Sequence, residues 1–135
     1  MKELIVATTN QGKVKEIQAM LKDLNIEVKS LKDVYDDVPD IVEDGKTFKE
    51  NAIKKAQIIA QEINKRCLAD DSGIEIEYLN GFPGVITKRW HSGTDRERNI
   101  ALLEKLIGVP KEKRKIKFIT IIILCYTLDK TVILR

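Results

Sequence analysis

Two short stretches of the chain combine residue types that handle phosphate and divalent cations. The first is Thr8-Thr9-Asn10-Gln11-Gly12-Lys13, which follows the apolar run Ile5-Val6-Ala7 and opens a helical pattern. Backbone N–H groups in the first turn of a helix lack intrahelical acceptors and carry the positive end of the helix dipole, so such a turn suits an anion. Gly12 lets backbone approach closely, Thr8, Thr9 and Asn10 can donate hydrogen bonds, and Lys13 adds a compact charge. The same residues also suit a plain capping turn, with Asn10 as the cap.

The second stretch is Asp70-Asp71-Ser72-Gly73. Side chains on extended backbone alternate faces, so both acids reach one site only if the strand kinks, and Gly73 is where a kink could form. One aspartate is therefore expected to be the main ligand. Mg²⁺ is commonly held by one or two carboxylates while phosphates and waters complete its shell, and Glu43 or Asp44 could supply a second. The competing view is a turn of solvated acids. Lys55, between Ala52 and Ala56, is either a second cation for phosphate or a snorkelling surface lysine. His91, the one histidine, reads as a loop residue.

The elements that must position these residues follow from periodicity. Residues 3–8 read as a buried strand, and Val14, Ile17, Met20, Leu21 and Leu24 mark one face of a helix. Residues 26–28 form a short strand, and 31–46 an irregular acidic loop. From Thr47, the residues Phe48, Ala52, Ala56, Ile59, Ala60 and Ile63 define a second helix, with Thr47 and Glu50 at capping-box spacing. Cys67-Leu68-Ala69 leads as a strand into the acids, and 74–78 alternates as another. A third helix spans about 95–107 with Ile100, Leu103, Leu106 and Ile107 inward and Gly108 as its stop. Residues 115–127 and 131–134 read as strands of a hairpin turning at Leu128-Asp129-Lys130. Alternating strands and helices ending in a hairpin predict an α/β fold with a mixed sheet.

The totals bound the function. A chain of 135 residues is expected to form one domain, 1–135. Its net charge of +3, from 24 basic and 21 acidic residues, and its 5% aromatic content argue against a nucleic-acid binder, despite the basic loop 111–117. Cys67 and Cys125 sit in apolar runs without metal-ligand spacing, which fits reduced thiols. The amino terminus lacks signal-peptide character, and the apolar run 118–128 is shorter than the roughly 20 residues of a membrane helix. No membrane association and a cytoplasmic location are expected.

In order and spacing, ATTNQGKVKEI (7–17), VEDGKTFKENAIKKA (42–56), LADDSGIEI (68–76) and NGFPGV (80–85) resemble the inosine triphosphate pyrophosphatase family, the dITP/XTP pyrophosphatases. HSGTDRERN (91–99) and KRKIKFITIIIL (113–124) look like their counterparts there, so the resemblance covers the whole chain. It implies an elongated mixed β-sheet flanked by helices, with a cleft between two lobes, usually in a homodimer. It also implies Mg²⁺-dependent hydrolysis of deaminated purine nucleoside triphosphates (ITP, dITP, XTP) to the monophosphate and pyrophosphate. On that pattern Thr8, Thr9, Asn10, Gln11, Gly12 and Lys13 hold the triphosphate, with Lys55, Ser72 and Arg89 as further substrate contacts. Glu43 and Asp71 serve the metal, Asp71 is the proton acceptor, and Asp70 is the acid beside it.

Two departures stand out. Ile86-Thr87-Lys88-Arg89 replaces the family's Tyr-Ser-Ala-Arg, keeping only the arginine. The family's later Gly-Phe-Gly-Tyr-Asp and Ser-His-Arg segments have no counterpart before Arg135, so the resemblance implies a second lobe that is incomplete here, weak or poorly selective turnover and some bare apolar strand surface. The alternative is a non-catalytic nucleotide-binding or interaction remnant of the same fold.

Overall fold

The structure is a computed structural model that describes residues 2–127 and 130–134. Five strands form one sheet in the order β2-β1-β3-β4-β5: β1 (Lys2–Val6), β2 (Ile26–Ser30), β3 (Arg66–Ile76), β4 (Ile116–Thr127) and β5 (Lys130–Leu134). β1 pairs in parallel with β2, Lys2 opposite Ile26, and with β3, Ile5 opposite Cys67. β4 and β5 are antiparallel, with Ile123 opposite Ile133. The mixed α/β sheet is thus as the alternation of elements predicts. The expected hairpin turn falls on Leu128 and Asp129, outside the described residues.

The chain forms two compact units, one running through Asp71 and resuming at Ile121, the other spanning Ser72–Thr120. In the first, helices α1 (Gln11–Leu21) and α3 (Phe48–Ile63) connect the parallel strands. The core gathers Ile5 and Ala7 from β1, Ala52, Ala56, Ile59 and Ala60 from α3, Cys67 and Ala69 from β3, and Ile123 and Cys125 from β4. Three alanines on the buried stripe of α3 let its backbone lie close to the sheet. Burial pushes the Cys67 thiol up to about 12, with Cys125 adding to the effect and Lys55 opposing it. Both cysteines are buried and outside any disulfide, as their apolar settings predict.

The second unit has a smaller core of Ile76, Leu102, Leu106 and Val109, bordered by Phe82 and Trp90, whose rings meet edge to face at 5.1 Å. Helix α4 (Asp95–Lys105) starts with a complete capping box of Thr94 and Glu97. Gly108, at φ +81°, follows it in the left-handed region that favours glycine. Arg114 donates to the carbonyls of Leu106 and Val109, so one residue of the basic loop closes the helix exit.

Three local expectations change. The region 31–46 is not wholly irregular, because Ser30 and Asp33 cap a single helical turn, α2 (Leu31–Val34). β3 runs unbroken from Arg66 to Ile76, so Gly73 makes no kink and the acids lie within a strand rather than at its end. Helix α4 buries Leu102 and Leu106, whereas Ile100, Leu103 and Ile107 are exposed. That helix carries apolar residues on two stripes, and the core of its unit selects the stripe at i, i+4.

Among the described residues no helix is long and apolar enough to cross a membrane.

Candidate active site

The turn after β1 is built around Asn10, whose extended backbone places its side chain over the first turn of α1. Asn10 Oδ1 accepts from the backbone N–H of Gly12 at 3.0 Å and of Lys13 at 3.3 Å, and its own N–H donates to Thr8 Oγ1 at 3.1 Å. The capping geometry is therefore realised. Thr9, Asn10, Gln11 and Gly12 are exposed, Thr8 is half-buried, and Val14 anchors the helix beneath them. Lys13 leaves this turn and donates from Nζ to Asp70 Oδ2 at 2.8 Å. The phosphate-suited turn and the acidic strand meet at this contact.

Strand alternation separates the two aspartates. Cys67 and Ala69 pack in the core with α3, and Asp71 continues their face, with Asn51 Nδ2 of α3 donating to Asp71 Oδ2 at 3.3 Å. Asp70, one residue away, takes its lysine from α1. The backbone carbonyl of Asp70 in turn accepts from Lys55 Nζ at 3.0 Å. Lys55 also pairs with Glu43 Oε1 at 2.6 Å, so it is drawn inward rather than snorkelling outward.

Five consecutive loop residues are fastened to the start of α3. Lys54 Nζ donates to the carbonyl of Val42 and pairs with Asp44 at 2.9 Å, while Lys55 holds Glu43. Asn51 Oδ1 accepts from Gly45 N at 2.7 Å, and Glu50 Oε2 accepts from Lys46 N at 2.7 Å. Thr47 accepts from Glu50 N as N-cap. Only half of the predicted capping box forms, because the Glu50 carboxylate takes the N–H of Lys46 instead of that of Thr47.

Asn51 and Gly45 are the residues that sequence reasoning missed. Asn51 is 1% exposed, and its orientation is fixed because Oδ1 faces the N–H of Gly45 and Nδ2 faces Asp71. A Cβ on Gly45 would lie 2.6 Å from Asn51 Oδ1 and 2.9 Å from Glu50 Cβ. The available signal was position: Asn51 stands three residues after Phe48 and one before Ala52, on the stripe that the apolar residues define.

Thr8, Asn10, Gly12, Lys13, Glu43, Lys55, Asp70 and Asp71 therefore lie in one unit, linked by the contacts above. Ser72 and Arg89 belong to the other. Ser72 shares a hydroxyl contact of 3.1 Å with Thr120, and the exposed Arg89 donates to the carbonyl of Val85. A cavity of about 570 Å³ beside Glu75, Glu77 and Lys115 contains none of the predicted phosphate or metal residues.

Among the described residues no three acids, histidines or cysteines form a group able to hold a metal by themselves. The available donors are hard carboxylate oxygens, which fit a Mg²⁺ ion that takes the remainder of its shell from phosphate and water. They do not form a closed protein cage.

Comparison with known proteins gives a consistent result. The Ham1 family model matches residues 4–135. The chain is 44% identical over 130 residues to the dITP/XTP pyrophosphatase of Bacillus licheniformis, covering 93% of this chain and 64% of that protein. It is 46% identical over 121 residues to the one from Geobacillus kaustophilus, covering 87% and 58%. The HAM1 protein structure from Coxiella burnetii superposes with a TM-score of 0.89 at 37% identity, covering 98% of this chain and 68% of that one. The chain thus spans just under two thirds of the length of these curated relatives. With the family model matching residues 4–135 and relatives more than 40% identical over most of the chain, the chain belongs to the Ham1 family.

Proposed function

We propose that this chain carries the phosphate- and metal-handling part of a Mg²⁺-dependent nucleoside triphosphate pyrophosphatase acting on dITP, XTP and ITP. The observation that carries the proposal is the 2.8 Å contact between Lys13 and Asp70, which joins the capped turn to the acidic strand. Relatives named dITP/XTP pyrophosphatase support the substrate class. The same resemblance suggests a homodimer working in the cytoplasm.

In this proposal Lys13 and Lys55 bind the polyphosphate and stabilise charge developing on the departing pyrophosphate. Thr8, Thr9 and the turn from Asn10 to Gly12 orient it. Glu43 and Asp71 are the carboxylates that would hold Mg²⁺, which when bound supplies charge neutralisation and a more acidic water. Asp71 accepts the proton of the attacking water, and Asn51 holds that carboxylate in place. Asp70 orients Lys13.

The test is pyrophosphate release from ITP, dITP and XTP with Mg²⁺, compared between the native chain and Asp71→Asn. Release by the native chain alone is expected, at least about a hundredfold faster than by the variant, in line with loss of an acid–base group. Equal release from both would reject the assignment of Asp71. Binding of ITP without release would make the chain a nucleotide-binding module.

A further inference from the structure

Asn51 and Lys55 lie one turn apart on α3, and each spans from the loop 42–46 to β3. Lys55 Nζ meets Glu43 Oε1 at 2.6 Å and the Asp70 carbonyl at 3.0 Å. Asn51 Oδ1 accepts from Gly45 N at 2.7 Å, and its Nδ2 donates to Asp71 Oδ2 at 3.3 Å. Lys55 already has a use as a cation for phosphate. Asn51, 1% exposed, is sealed beneath the site and needs a different one.

Packing does not supply it. The position falls on the buried stripe of Phe48, Ala52, Ala56 and Ile59, where alanine would suit the helix better and would bury no polar group. What alanine, leucine and aspartate all lack is an acceptor at one end and a donor at the other. Turning the amide over would set N–H against N–H at Gly45 and oxygen against oxygen at Asp71, so the two partners fix a single orientation. The side chain is also carried on a rigid element. Its own backbone N–H donates to the Thr47 carbonyl at 3.2 Å in the opening turn of a 16-residue helix. Gly45 stands two residues from Glu43, so one amide ties the backbone that carries the first metal-assigned acid to the carboxylate of the second.

We propose that Asn51 is a positioning residue that gauges the separation of Glu43 and Asp71, passing any shift of the loop at Gly45 on to the Asp71 carboxylate. The proposal rests on the functional reading above, in which those two acids hold the cation, and adds the residue that couples them. Groups that orient metal ligands from behind commonly govern affinity by about 10–100-fold.

The experiment titrates Mn²⁺ alone, an ion that takes hard oxygen ligands as Mg²⁺ does, into the full chain and follows the electron paramagnetic resonance signal of the free ion. Asn51→Ala is expected to bind it about tenfold or more weakly than the native chain. Gly45→Ala supplies no ligand but sets a Cβ 2.6 Å from Asn51 Oδ1, and is expected to weaken binding. The size of that effect is about three- to tenfold. In the Asn51→Ala background the same glycine substitution is expected to change affinity by less than about twofold, because the link it presses on is gone. Lys54→Met loosens the loop at Val42 and Asp44, on either side of Glu43, and is expected to stay within about threefold of native. Urea melts establish that each variant is folded under the titration conditions, and Gly45→Ala reaches the same amide if Asn51→Ala unfolds.

A folded Asn51→Ala chain that binds Mn²⁺ within about threefold of native would overturn the positioning role while leaving the metal assignment standing. So would a Lys54→Met loss as large as that of Asn51→Ala, which would mean that any tether of the loop serves equally. Independent, multiplying effects of Gly45→Ala and Asn51→Ala would break the link between loop and carboxylate. A native chain that binds no Mn²⁺ would overturn the metal assignment together with the proposal.

Discussion

Replacing Gly45 with alanine tests whether the loop 42–46 is held as tightly as its contacts indicate. The added Cβ would sit 2.6 Å from Asn51 Oδ1 and 2.9 Å from Glu50 Cβ. Comfortable carbon contacts lie at about 3.5–4.0 Å, so either the loop or the helix side chains must yield by several tenths of an ångström. Overpacking of this kind costs about 1–3 kcal/mol. If the loop moves instead, the bond from Gly45 N to Asn51 Oδ1 is lost and a buried amide is left wanting, at about 1–3 kcal/mol. The lower entropy of the unfolded alanine chain returns about 0.4–1 kcal/mol. A net loss of about 0.5–2.5 kcal/mol is expected, read as a fall in Tm of roughly 5 °C for a chain of this size. The assay is a double-mutant cycle by urea denaturation. Asn51→Ala removes the nearest clash, so Gly45→Ala should cost at least about 1 kcal/mol less in that background than in the native one. A cost of under about 0.5 kcal/mol in the native background, or strict additivity in the cycle, would refute the close packing of this loop against α3.

Two further outcomes are expected. Leu102→Ala should destabilise by about 2–4 kcal/mol while Leu103→Ala stays within about 0.5 kcal/mol, because the first is 6% and the second 56% exposed; urea midpoints decide it, and the reverse ranking would invert the facing of α4. The Lys88 ammonium, together with Arg98, lowers the Asp95 carboxyl from 3.8 to about 2. A depressed folded value gives stability that is present above the unfolded value and lost as pH falls through the folded one, so Asp95→Asn should flatten the stability curve between about pH 4 and pH 2, an effect that high salt diminishes.

Much of the candidate site was legible because its parts are local. A strand that ends in a polar turn before a helical pattern fixes Lys13 beside the carboxyl end of β1, and a parallel neighbour brings β3 next to it. Helix α3 was readable from six apolar positions and the cap at Thr47. What escaped was non-local. No pattern announces that Asn51, a polar residue on an apolar stripe, spends both ends of its amide on Gly45 and Asp71. Gly73 looked like a breaker, yet a glycine is tolerated in extended backbone when neighbouring strands supply the order. Helix α4 offers two apolar stripes, and only its surroundings choose between them. The competition between capping and anion binding at Asn10 was visible in the sequence as two uses of the same atoms, and the structure displays the first.

The adjacency of Asp70 and Asp71 has a consequence for how the gene can vary. Because successive residues of a strand address opposite sides, inserting a single residue between Ala69 and Asp70, or deleting Ala69, would trade the two acids between α1 and α3, leaving composition almost unchanged while uncoupling Lys13 and Asn51 from their partners. Length variation should therefore be purged from this short interval far more stringently than from the exposed stretch around Asp36 and Asp37, where extra residues disturb no pairing pattern.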